Sequence, residues 1–319
     1  MLLAQPNKIY NSFRIPGLVL SSSGTLIGCY ECRRGTGDDW DEIDLSIQRS
    51  TDDGISWTQT KLIFGNGNTL NNPMLTIYED KILFMYCQNY KQLFICESID
   101  DGLSFSAPRE IKDVLNECRF FYNVVAIGPG HGIVKNGTIL IPIWFAYNHE
   151  CEKEHRPSFI STIYSEDGGI SWHLGQNIGR EILNNPSECA LAIWQDQVLI
   201  SIRNEDTIHQ RAFAISKNGY TNWSPPAFYE NMPDPICQGS MHYTSDAIYH
   251  INCNSDSQRV NLTVKISHDG LKTYEAILID EFGGYADIAV ANNIYVLYEK
   301  NYGRDGIFFL NINREVIST

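Results

Sequence analysis

The sequence predicts an all-β chain folded as a six-bladed β-propeller of four-stranded antiparallel sheets, and three observations carry that prediction. A pattern Ser-x-Asp-x-Gly-x-x-aromatic recurs as STDDGISW (residues 50–57), SIDDGLSF (98–105), SEDGGISW (165–172) and, more loosely, SHDGLKTY (267–274), with a degenerate copy SKNGYTNW at 216–223. The copies start 48, 67, 51 and 51 residues apart in chain order. A unit of about fifty residues holding four short strands is a propeller blade, and 319 residues provide about six. Runs of β-formers with alternating polarity, such as IDLSIQRS, RAFAIS and LTVKIS, lead into the copies, which is a hairpin signature. No long amphipathic helix interrupts them.

Each repeat is turn chemistry. Asp and Gly suit a tight turn with positive φ, and the aromatic folds back beneath it as a plug. The repeats therefore predict architecture at the blade rim and say nothing of activity. Alternation continues between them in KILFMYCQ, GTILIPIWFAYN, DQVLISIRN and IYVLYEKN, each a further strand. The Pro and Gly clusters IGPGHG (127–132) and YENMPDPICQGS (229–240) read as loops joining strands, so residues 1–319 are expected to form one domain.

Composition excludes several classes of function. With 24 Lys+Arg against 38 Asp+Glu the formal net charge is −14, which argues against nucleic acid as a partner because a phosphate backbone needs a basic stripe. The 43% hydrophobic and 19% charged content is ample for a buried core. The longest apolar stretches, 139–146 and 294–298, fall far short of the roughly 20 residues of a membrane helix. Nine scattered cysteines, an odd number in a chain too large to need staples, suggest a reducing compartment. The start of the chain lacks a basic, then apolar, leader, so the expected location is cytoplasmic, or exported with a leader removed. Cys29 and Cys32 lie within a strand, which disfavours a redox or zinc role.

Chemistry-bearing residues fall in a particular order. Phe13-Arg14-Ile15-Pro16 opens the first strand. ECRRGTGDDWDEIDLSIQRS (31–50) carries two arginines, then an acidic loop, then the strand into the first repeat. NNPSE (184–188), SIRN (201–204), SQRVNLTV (257–264), GGYADI (283–288) and VLYE (296–299) follow. Together these stretches resemble the sialidase family with Asp-box repeats, over essentially the whole chain.

That resemblance implies an exo-acting glycoside hydrolase that removes a terminal sialic acid with retention of configuration, through a tyrosine nucleophile and without cofactor or metal. The expected partner is a sialylated glycan or a related nonulosonic acid glycoside. Arg14, Arg203 and Arg259 match the family's three carboxylate-binding arginines. Tyr285 matches the nucleophile, Glu188 its base, Asp39 the acid/base, with Asp38 as the fallback, and Glu299 the carboxylate that orients the first arginine. Arg33, or Arg34 in the other register, matches a contact to the sugar ring. The family's Tyr-Ser-Asp is Tyr-Ala-Asp here. By the same resemblance the loop from Asp234 to Ser240 would stand at the pocket wall, and His131 is a candidate contact to ring substituents.

The residue types suit such a substrate on physical grounds. A sialic acid carries a carboxylate on its reacting carbon, and guanidinium groups offer planar, permanently charged donors for it. A carboxylate nucleophile would be repelled, whereas a phenol is neutral. Its pKa of about 10 leaves roughly one molecule in a thousand ionised at pH 7, equivalent to about 4 kcal/mol, so a base must take the proton as attack develops. Crowding by neighbouring carboxylates in the loop 37–42 is expected to raise the pKa of Asp39 toward the range useful to an acid. The same loop breaks the ligand pattern of a calcium site. Two alternatives remain: a hydrolase or intramolecular trans-glycosylase for another nonulosonic acid, and a sugar-binding propeller without turnover.

Overall fold

Six antiparallel sheets surround a common axis, the β-propeller that the repeats predict. The computed structural model describes residues 1–314. The first blade runs outward from the axis as Ser12–Leu20, Leu26–Arg33, Ile43–Ser50 and Thr58–Ile63. The inner strands of the next five are Leu70–Tyr78, Val124–Ile127, Cys189–Trp194, Ser240–Tyr243 and Gly283–Val290. Two blades carry a short fifth strand, Gly130–His131 beside Leu70–Tyr78 and Ile133–Lys135 beside Thr138–Ala146.

The sixth blade is closed in a way the sequence reading does not anticipate. Its outermost strand is Leu2–Ala4, from the other end of the chain, paired antiparallel with Gly306–Asn313. Gly306 sits there at φ +103°, where a Cβ would fall 1.9 Å from the Ala4 carbonyl oxygen.

Burial follows from blade stacking. Inner and second strands are covered on both faces and read as nearly continuous apolar runs, as in Leu26–Arg33, whereas the outer strand Thr58–Ile63 has no buried residue. The core lies in the seams: Ile27, Ile47, Leu75 and Phe84 pack together between the first two blades, and Ile251, Val264, Ile288 and Val296 between the last two.

All five repeats fall between the third and fourth strands of blades one to five. In the first, Ser50 Oγ accepts from Gly54 N–H at 3.0 Å and Asp52 Oδ1 accepts from Ser56 N–H at 2.9 Å. Ser98 and Ser165 repeat the first contact at 2.9 Å. Trp172 is fully buried and donates to Gly169 O at 3.1 Å, the expected plug. Gly54 (φ +84°) shows why glycine is needed, since a Cβ there would lie 2.0 Å from the Phe309 ring of the sixth blade.

Candidate functional site

Three inner strands begin with a register shift, between Arg14 and Gly17, Asn71 and Met74, and Gly283 and Ala286. Such bulges re-aim side chains. Arg14, Asn72 and Tyr285 are turned by them into one pocket, which encloses about 660 Å³ of space open to solvent and draws lining residues from all six blades.

Tyr285 is at its centre. The phenol hydroxyl lies 2.7 and 3.0 Å from the carboxylate oxygens of Glu188, and Arg203 Nη1 donates to it at 2.7 Å. Arg203 also hydrogen-bonds Glu188 directly. The pair is positioned by the hairpin: backbone bonds Ser187 N–H to Arg203 O (3.0 Å) and Arg203 N–H to Glu188 O (3.2 Å) place the two residues opposite each other, one step beyond the ladder of Cys189 with Ile202. Arg14 and Arg259 stand over the Tyr285 ring, with guanidinium carbons 5.0 and 5.3 Å from its centroid. Burial pushes the phenol pKa up, Arg203 and Arg259 pull it down and Glu188 raises it again, and the balance is a rise. The tyrosine is therefore protonated, against a carboxylate that can receive the proton as it leaves.

Each arginine has a distinct anchor. Glu299, fully buried, holds Arg14 through Nε (3.1 and 3.3 Å) and Nη2 (2.9 Å), and also accepts from Ile15 N–H at 3.2 Å. Arg259 donates to Ile236 O at 3.3 Å. Arg203 Nε–H is buried and has no hydrogen-bond partner among the described residues. An unmade bond on a buried cation is costly. Five arginines (Arg14, Arg33, Arg156, Arg203, Arg259) line the pocket against three carboxylates (Asp39, Glu188, Glu205), and Glu299 and Glu31 stand behind Arg14 and Arg33, so cationic side chains face the cavity although the chain as a whole is acidic.

The acidic loop resolves into separate tasks. Asp41 turns back into its own loop and accepts from Thr36 N–H (2.8 Å), Thr36 Oγ1 (2.8 Å) and Asp38 N–H (3.2 Å). Asp38 accepts from Trp40 N–H at 3.0 Å and does not line the pocket. Asp39 does, with its side chain 40% exposed, 2.6 Å from Arg33 Nη1 and 3.9 Å from Arg14 Nη1. The expected rise of its pKa is wrong. Burial would raise it, but the charges of Arg33 and then Arg14 outweigh burial and hold the carboxyl far below its usual range. The crowding carboxylates have turned elsewhere: Asp44 to Arg34 (2.6 Å) and Tyr10 (2.7 Å), and Glu42 to Arg34 (3.6 Å).

Arg33 lines the pocket but is 2% exposed, and spends its guanidinium on Glu31 (2.6 Å) and Asp39. Arg34 points outward over Tyr10. One further expectation is corrected and another is narrowed. His131 is bound to Asp287 at 2.7 Å and faces a separate pocket with Leu18, Ile77 and Ile133. Asp234 turns away into a buried pair with Arg211 at 2.6 Å, and its loop reaches the site through the Ile236 carbonyl and Cys237, which packs against Tyr285. Sequence reasoning also missed Tyr90, Trp144 and His155, which line the side beside Asp39 from loops and strand ends that carry no motif.

Fold and site together define an Asp-box propeller built around a polar axial pocket. Residues 16–296 match the BNR repeat-like domain, and the chain belongs to the sialidase family with BNR repeats. It is 27% identical to a sialidase of Bacteroides fragilis over 91% of this chain and 60% of that protein. It is 26% identical to an exo-alpha-sialidase of Aspergillus fumigatus, over 95% of this chain and 84% of that one. Among solved structures, the Hadza microbial sialidase Hz136 superposes with a TM-score of 0.83 at 24% identity, covering 96% of this chain and 66% of that chain, which supports the fold. The chain thus spans about three fifths of the length of the Bacteroides fragilis relative.

Proposed function

We propose that the protein is a retaining exo-glycoside hydrolase that releases terminal sialic acid from sialoglycans through a covalent intermediate on Tyr285. The observation that carries this reading is the contact of the Tyr285 hydroxyl with both Glu188 oxygens beneath three converging arginines. The relatives named sialidase support the substrate class.

The substrate carboxylate enters between Arg14, Arg203 and Arg259, each charge-assisted bond contributing roughly 1.5–3 kcal/mol. Its charge offsets that of Arg14, one of the two arginines that depress Asp39, so burial regains influence and the Asp39 carboxyl takes up a proton. Asp39 gives that proton to the glycosidic oxygen as the C2–O bond breaks, the Tyr285 oxygen bonds to C2, and the phenolic proton passes to Glu188. In the second half-reaction water attacks C2 and loses a proton to Asp39, while Tyr285 departs and recovers its proton from Glu188. The two displacements together retain configuration.

The test is incubation with a 2,3-difluorinated sialic acid, which slows the second step, followed by peptide mass spectrometry. A glycosyl adduct on the peptide containing Tyr285 is expected. An adduct on another residue, or turnover of a fluorogenic sialoside with no adduct, would refute the tyrosine route.

A further inference from the structure

His155 has no assigned role, yet it is enclosed by aromatic rings. Its imidazole stacks on Trp40 at 5.1 Å and 28° and meets Tyr90 at 5.1 Å and Trp144 at 5.4 Å edge to face. Trp40 in turn contacts Tyr90 at 4.6 Å. The buried Nε2 of His155 has no hydrogen-bond partner among the described residues. The ring therefore serves as aromatic surface, and burial, the largest influence on it, lowers its pKa and keeps it neutral.

The stack joins two otherwise separate segments. Trp40 follows Asp39 in the acidic loop of the first blade, and His155 lies between the third-blade strands Thr138–Ala146 and Ser158–Ser165. Asp41 ties the loop mainly to itself; from outside, Thr69 Oγ1 donates to Asp41 O at 2.5 Å and Arg33 Nη1 to Gly37 O at 3.1 Å. The Asp39 carboxylate is 40% exposed and held by charge, whose strength changes when a substrate carboxylate enters. A ring packed against its neighbour is not sensitive to that change.

We propose that the Trp40–His155 stack fixes the acidic loop so that Asp39 stays aligned with the glycosidic oxygen, making Trp40 and His155 positioning residues for proton donation. This rests on the reading of Asp39 as the acid. Misalignment of an acid is felt in proportion to how much the leaving group needs its proton, whereas general damage to the protein lowers all turnover alike.

The experiment measures kcat and KM for the wild type, His155→Ala, Trp40→Ala, His155→Phe and the double alanine variant on two substrates. One is an aryl sialoside with a weakly basic leaving group (4-methylumbelliferyl). The other is 3′-sialyllactose, whose leaving group is a strongly basic alkoxide. The ratio of the two kcat values is independent of the folded fraction, so a poorly folding variant still reports. Each alanine variant is expected to lower kcat on sialyllactose about 10- to 100-fold, and on the aryl substrate less than about fivefold. His155→Phe should recover most of the ratio because it keeps the ring, and the double variant should be no worse than the worse single one. Equal losses on both substrates, a loss confined to KM, or His155→Phe as damaged as His155→Ala would overturn the proposal while leaving the hydrolase reading intact. A wild type that turns over neither substrate would remove both.

Discussion

Tyr285 and Asp287 lie two residues apart on the same inner strand and both reach side chains of other blades, yet their surroundings differ in one respect. Asp287 is saturated. Its fully buried carboxylate accepts from Leu18 N–H (2.7 Å), His131 (2.7 Å), Ser240 Oγ (2.5 Å) and Ile288 N–H (2.9 Å), and the adjoining pocket is mostly aliphatic. The Tyr285 end is unfinished, with three guanidinium groups converging on one ring and a buried Arg203 N–H without a partner. Buried polar groups whose bonds are complete hold a fold together. Charges gathered with bonds still to make mark a candidate ligand site, which is the reading proposed for this end.

The comparison can be broken by substitutions at either end. The largest effect is expected at Tyr285→Phe, which should lower kcat on a fluorogenic sialoside by at least about a thousandfold with urea unfolding little changed. Glu188→Gln should follow, at about 10²-fold or more in kcat, since it removes the proton acceptor. Arg259→Ala should act mainly on KM, raising it about 10- to 100-fold, the equivalent of roughly 1.5–3 kcal/mol in a carboxylate bond. At the other end Ser240→Ala should cost about 1–3 kcal/mol in urea unfolding and leave kcat/KM per folded molecule as it was. A Ser240→Ala variant that is stable but catalytically impaired would contradict the division of labour.

Two pH measurements sharpen it. Asp39 is ionised in the free protein because Arg33 and Arg14 depress its pKa against burial, and a carboxylate ligand at Arg14 would weaken that hold. Binding of a sialic acid analogue near pH 5 should therefore take up protons, seen by calorimetry in buffers of different ionisation enthalpy, and Asp39→Asn should abolish the uptake. The smallest effect concerns His131, where burial lowers the pKa but the Asp287 charge and hydrogen bond outweigh it, giving a net rise. A raised folded-state pKa stabilises fully below the unfolded value of about 6.5 and fades as pH climbs through the folded one. The stability lost on His131→Gln should accordingly shrink as pH rises past neutrality.

What the sequence makes legible is what is local. The Ser-x-Asp-x-Gly repeat forms its turn from contacts within five residues, so the blades can be counted before any packing is known. The interval between Glu188 and Arg203 is legible too, because it is the length of one hairpin whose open end holds both. The environment of Asp39 is not. Its neighbours in sequence are carboxylates, whereas folding turns Asp41 inward and brings up Arg14 from another strand. His131 misled for the same reason, since its partner Asp287 is 156 residues away. Tyr90 and His155 leave no periodic trace because each reaches the pocket from a loop, and Trp144 sits in an alternating strand where nothing singles it out from its apolar neighbours. Leu2–Ala4 is too short to show alternation.

That three-residue strand has a bearing on ligand binding. It latches the ring at the junction of its first and last sheets, and the Arg14–Glu299 pair bridges the same junction at the axis. A molecule gripped by Arg14 would act as a bolt across this joint. Backbone amides of residues 2–4 and 306–313 should then exchange with deuterium more slowly in the occupied protein.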